Sequence, residues 1–96
     1  MTKNMSKQLE RVDLNIVGRI LFLLIQNGSE KKTILARRIN RNYDYFIRYL
    51  EFLELLGFVN RETSIDTQII NVSDSGKSFY LRRFSNVEKN LIQKSL

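Results

Sequence analysis

Four arginines, Arg37, Arg38, Arg41 and Arg48, fall within twelve consecutive residues, and Lys32 stands five residues before the first of them. Between the last two arginines lie Asn42, Tyr43, Asp44 and Tyr45. A guanidinium is a planar fork of donors, suited to two oxygens of one anion or to the O6 and N7 edge of a guanine. Asparagine and tyrosine add neutral donors and acceptors, while an ionised aspartate only accepts. These residue types hold anions and read polar edges. The chain has no histidine and no cysteine, so disulfides, zinc sites of the usual kind and His-based acid–base chemistry are excluded. With no nucleophile–base pair, phosphate-cradling loop or ligand spacing in view, no enzyme activity, cofactor or metal is expected.

The stretch that must position these side chains is TILARRINRNYDYFIRYLEFLELLG, residues 33–57. Its apolar spacing predicts a short helix over 33–39, a break at Asn40-Arg41-Asn42 and a longer helix over 43–56 that Gly57 ends. Asn42 is placed to cap the second helix. Two helices joined by so short a turn form a helix-turn-helix, whose second helix can lie in a DNA major groove. In the first helix Ile34, Leu35 and Ile39 face inward around the small Ala36, leaving Arg37 and Arg38 free to reach phosphates. In the second, Phe46, Leu50, Leu53 and Leu56 make the core face. Its first two turns then offer Asn42, Tyr43, Asp44, Tyr45 and Arg48, with Tyr49 at their margin. Arg48 suits guanine, and a tyrosine suits a phosphate or a thymine methyl. Asp44 has two readings: it accepts from cytosine N4, or it pairs with Arg48 one turn later.

The 96 residues make one domain, 43% hydrophobic and 27% charged, with a net charge of +6. From Glu30 to Tyr49 six cations face two acids, whereas from Leu50 to Asp66 one arginine faces four acids. From Thr67 onward five cations face two acids. Positive charge thus gathers on the helix-turn-helix and the C-terminal helix, as a surface for a polyanion requires. Residues 1–8 are polar and are expected to fray. A first helix is predicted over about 9–26 from Leu9, Val12, Ile16, Ile20, Leu23 and Leu24, stopped by Asn27-Gly28. After Gly57 the periodicity changes to two β-branched runs, 58–63 and 68–72, which predict a β-hairpin. Ser73 or Asp74 opens a last helix over about 74–94. Its Tyr80, Phe84, Val87 and Leu91 form a heptad-like stripe suited to a homodimer seam, or else the helix folds back across the first one. No apolar run is long enough to span a bilayer and no signal peptide is visible, so a cytoplasmic location without membrane contact is expected.

The stretch LARRINRNYDYFIRYLEFLELLGFV, residues 35–59, resembles the winged-helix transcriptional regulators of bacteria and archaea. Shared features are the small Ala36, the cap at Asn42 and the ending Leu56-Gly57-Phe58-Val59. VSDSGKSF, residues 72–79, is similar to the segment that follows the wing in those proteins. The small archaeal type, with a dimerising C-terminal helix, is the nearest in character, and the resemblance covers about residues 12–92. It implies a mainly α fold with a small β-hairpin: a winged helix-turn-helix plus a long C-terminal helix. It further implies a dimeric, double-stranded-DNA-binding regulator in which Asn42, Tyr43, Asp44, Tyr45 and Arg48 face DNA. The sequence departs from the pattern at Asp44 and in a wing whose tip carries no cation. Two other functions fit the same residues: a sequence-tolerant, chromatin-like DNA binder, and a winged helix used for protein association through its tyrosines and Ile65.

Overall fold

A computed structural model of the chain describes residues 11–85. Helix α1 spans Leu14–Asn27. Asp13 caps it, its carboxylate accepting from the Asn15 N–H at 2.9 Å, and Gly28 ends it at φ 84°, a conformation that glycine adopts without strain. Ile16, Ile20 and Leu24 are fully buried as their spacing predicts, but so are Val17 and Leu21, which that spacing leaves out. Val12 is exposed and Leu23 half-buried. The apolar face therefore takes in Val17 and Leu21 beside the predicted stripe. Leu9 lies outside the described residues.

The residues after Gly28 do not simply lead into the next helix. Ser29–Lys31 form a strand, β1, followed by helix α2 over Lys32–Ile39. Leu35 and Ile39 of α2 are buried, with Ile34 and Ala36 half-buried. Asn40 terminates α2 in the left-handed conformation (φ 58°), its N–H bonded to the Ala36 carbonyl at 3.2 Å. Asparagine tolerates that conformation better than most residues other than glycine. Helix α3, Tyr43–Leu55, starts two residues after the Arg41 turn residue. Asn42 caps it as predicted, the side-chain oxygen accepting from the N–H groups of Asp44 and Tyr45 at 2.8 and 3.4 Å.

Phe46, Leu50 and Leu53 form the core face of α3, joined by Tyr49 with no exposed surface. Leu56, predicted for that face, is instead 47% exposed, because the helix has ended and Leu56 caps its C-terminus. Gly57 then reverses the chain at φ 77°. Strands β2, Val59–Thr63, and β3, Gln68–Val72, form the hairpin, closed by the Ser64 N–H donating to the Thr67 carbonyl at 2.8 Å. The predicted two-stranded hairpin is in fact part of a three-stranded antiparallel sheet in the order β1-β3-β2. β1 adds Ser29 opposite Asn71 and Lys31 opposite Ile69. Val59 and Ile70 carry the sheet into the core.

Helix α4 spans Asp74–Tyr80, with Ser73 Oγ accepting from the Gly76 N–H at 3.1 Å. It continues as one π-helical turn over Leu81–Ser85 rather than as uninterrupted α-helix; the rest of the helix expected to residue 94 lies outside the described residues. Aromatic rings seat this element on the body. Phe79 stacks on Phe58 at 4.7 Å, Tyr80 on Phe84 at 5.2 Å, and Phe22 of α1 lies 6.2 Å from Tyr80. No helix of the described residues is long and apolar enough to cross a membrane.

Candidate nucleic-acid interface

Capping and burial together aim the exposed face of α3. Its core face is fixed by Phe46, Tyr49, Leu50 and Leu53, so the opposite side, where Asp44, Arg48 and Glu51 lie, must face solvent. Arg41, Asn42, Asp44, Tyr45 and Arg48 line one open hollow of about 550 Å³ at the start of the helix. Within it the Arg41 guanidinium lies over the Tyr45 ring, 5.6 Å from its centroid, an arrangement that the π face of the ring favours. Lys32 and Tyr43 sit next door, in a cleft of about 460 Å³ between the N-termini of α2 and α3 and the hairpin tip. Tyr43 is 49% exposed, its ring 6.3 Å from that of Phe46.

The remaining two predicted cations are placed differently. Arg37 is exposed and makes no ion pair among the described residues. Arg38 is turned towards Glu30 of β1 at 3.7 Å and borders a separate hollow with Arg19, Phe22 and Leu23. A residue that the sequence reading passed over acts here: Arg19 of α1 donates to the Arg38 carbonyl at 2.9 Å, setting a cation at the C-terminus of α2 where the helix dipole favours one. The only available sign was a lone cation in the apolar run of α1.

Tyr49 does not belong to the surface, although its position at the margin of the first two turns suggested it. Its hydroxyl accepts from the Asp13 N–H at 2.7 Å, and its ring packs 5.1 Å from that of Tyr45. Burial pushes the phenol pKa above its ordinary value. Nor does Asp44 pair with Arg48. The two ion pairs among the described residues are Arg38–Glu30 and Arg61–Glu54.

That second pair settles the charge of the hairpin. Arg61 is the only cation between Val59 and Val72. It donates through Nε and Nη2 to both Glu54 oxygens, at 3.1 and 2.5 Å, and through Nη1 to Gln68 at 3.1 Å. The hydrogen-bonded carboxylate raises its pKa further. Its partner is thus Glu54 of α3, not the adjacent Glu62. The hairpin tip is left with exposed Glu62 and Asp66 and a fully exposed Ile65, a surface that repels phosphate.

Of the nine residues proposed for the interface, the structure brings five into one hollow, sets two beside it and places Arg37 and Arg38 along α2. Of the proposed seam, Tyr80 and Phe84 are half-buried against each other and against α1, where Phe84 covers Gly18. Val87 and Leu91 lie outside the described residues. Among the described residues there is no cluster of three or more acidic, His or Cys side chains that could hold a metal ion.

A helix-turn-helix backed by α1, with a hairpin directly after its second helix and a short strand completing the sheet, is the winged helix-turn-helix fold. No protein-family model and no curated protein matches the sequence. Solved structures do match. Sso10a-2, a DNA-binding protein from Sulfolobus solfataricus, is 23% identical with a TM-score of 0.67, over 88% of this chain and 90% of that one. AF1382 from Archaeoglobus fulgidus is 16% identical with a TM-score of 0.67, over 86% and 92%. The MarR family transcriptional regulator SPO1453 from Silicibacter pomeroyi DSS-3 is 16% identical with a TM-score of 0.67, over 99% and 74%. The resemblance read from residues 35–59 and 72–79 therefore holds for the fold.

Proposed function

We propose that the protein binds double-stranded DNA as a homodimeric transcriptional regulator, with the first two turns of α3 in the major groove. The observation that carries this reading is the distribution of charge over the winged helix. Arg37, Arg41 and Arg48 are exposed on α2, the turn and α3 and make no ion pair among the described residues, while the hairpin's one arginine is held by Glu54. Two of the similar structures are those of a DNA-binding protein and a transcriptional regulator, which supports the same reading. Lys32, Arg37, Arg38 and Arg41 hold phosphates, while Tyr43, Tyr45 and Arg48 face the groove. Tyr80, Phe84, Val87 and Leu91 supply the seam that pairs two recognition helices on successive major grooves, about one helical turn apart.

Titration of a duplex with the protein at increasing salt tests this. With about eight phosphate contacts per dimer, affinity should fall by about ten-thousand-fold between roughly 50 and 200 mM monovalent salt. Arg41→Ala should weaken binding to all duplexes alike and reduce the log–log slope by about one for each contact removed. If no duplex binds even at low salt, the DNA reading fails, and the fully exposed Ile65 then favours protein association.

A further inference from the structure

Asp44 is the anomaly of this surface. It is exposed in the first turn of α3, in the hollow where phosphates and bases would come. Two cations are near enough in sequence to neutralise it, and neither does: Arg41 lies on the Tyr45 ring, and Arg48 makes no ion pair with it. Asn42 engages only its backbone N–H. The carboxylate has no hydrogen-bond or ion-pair partner among the described residues.

A bare carboxylate beside the DNA backbone is repelled. The same carboxylate at the groove floor finds one kind of base-edge partner: the N4 amino group of cytosine, since purine N7 and O6 and thymine O4 are acceptors. Adenine N6 also donates, but N7 beside it repels an anion. Arg48 lies one turn further along the same face, ~6 Å away on the helix axis. Base pairs are stacked about 3.4 Å apart, so the two side chains reach pairs one or two steps apart.

Taking the DNA-binding reading as its basis, we infer that Asp44 is a specificity-determining residue: it selects cytosine within each half-site, while Arg48 selects a guanine one or two steps away. Asp44 thereby discriminates partly by repulsion, penalising every register in which it does not meet an N4 amino group.

Selection from random duplexes, run in parallel with the wild type, Asp44→Ala, Asp44→Asn and Arg48→Ala, tests this. The wild type should enrich cytosine at one position by about five- to tenfold and guanine one or two positions away. Asp44→Ala should lose the cytosine preference yet bind unselected duplex more tightly than the wild type, because a repulsive charge is gone. Asp44→Asn should shift the selected base from cytosine to adenine, whose N6 and N7 an amide matches. A residue that merely favoured the helix dipole would leave the selected base unmoved in both variants. Identical motifs from the wild type and Asp44→Ala overturn the inference and leave DNA binding intact. Binding without enrichment of any motif also overturns it, in favour of sequence-tolerant coating. Absence of binding to every duplex removes the underlying reading instead.

Discussion

Gly76→Ala is expected to lower stability by about 2 to 3 kcal/mol, the upper range for overpacking, and Gly76→Val by more. Ordinary helix energetics predict the opposite sign, since replacing a helical glycine by alanine is favourable by about 1 kcal/mol. The reversal comes from position. Gly76 is buried in the first turn of α4, and a Cβ there would run into the carbonyl oxygen of Phe58 and meet the Val72 side chain at 2.9 Å. That carbonyl cannot withdraw without loss, because it accepts from the Ser73 N–H at 2.9 Å. Ser73 Oγ also donates to the Gly57 carbonyl at 2.6 Å. One junction therefore ties the end of β3, the start of α4 and the turn after α3 together. Gly18 offers the contrast. A Cβ there would meet Phe84 Cε1 at 2.7 Å, but an aromatic ring at the edge of the molecule can turn aside. Thermal unfolding should separate the two, with Gly76→Ala lowering Tm by about 10 to 20 °C and Gly18→Ala by far less. If Gly76→Ala melts at or above the wild type, the close approach to Phe58 is not present in solution.

The sequence pattern was sufficient for whatever depends on neighbours along the chain. The caps at Asn42 and Ser73 and the reversals at Gly28 and Gly57 all follow from local residue chemistry. The core of α3 was legible for three of its four buried residues by helical spacing. Much of what escaped depends on contacts between distant segments. β1 has three residues, two of them charged, and no apolar alternation; it is a strand only because β3 lies beside it. Arg61 has Glu62 next to it in sequence, but successive residues of a strand point to opposite faces, so its partner is Glu54, from the preceding helix. Asp44 and Arg48 had the correct i,i+4 spacing for an ion pair and did not form one. Spacing makes such a pair possible, and the surroundings decide whether it forms. Charge was the part of the candidate site best read in advance, because the local excess of cations maps directly onto α2 and the turn. The division between buried Tyr49 and exposed Tyr43 was not, since a tyrosine at the edge of an apolar stripe suits either side.

Tyr49 also carries the second large expected effect. Tyr49→Ala should destabilise the protein by about 3 to 5 kcal/mol, as large-to-small changes of buried aromatic residues do. Tyr49→Phe keeps the ring but leaves the Asp13 N–H without its acceptor, at a cost of about 1 to 2 kcal/mol. The phenylalanine variant also isolates a pH effect. Burial, the largest cause, raises the Tyr49 pKa above its ordinary 10.0, so the folded state holds this proton more tightly than the unfolded chain. Its contribution to stability is then fully present below about pH 10 and is lost as pH rises through the higher folded-state pKa. Chemical denaturation between about pH 9 and 11 should accordingly show the wild type losing stability faster than Tyr49→Phe, the other titrating groups being common to both. Equal slopes would mean that the Tyr49 hydroxyl is open to water. The same bond has a directional role: it ties the middle of α3 to the capping residue of α1 and so fixes the roll of α3 about its axis. Arg48 is the residue before Tyr49, about 100° further round the helix, and is exposed where Tyr49 is buried. On the proposed DNA-binding reading, loosening Tyr49 should therefore blur the base selection assigned to Arg48 while leaving nearly unchanged the salt dependence assigned to the cations of α2 and the turn.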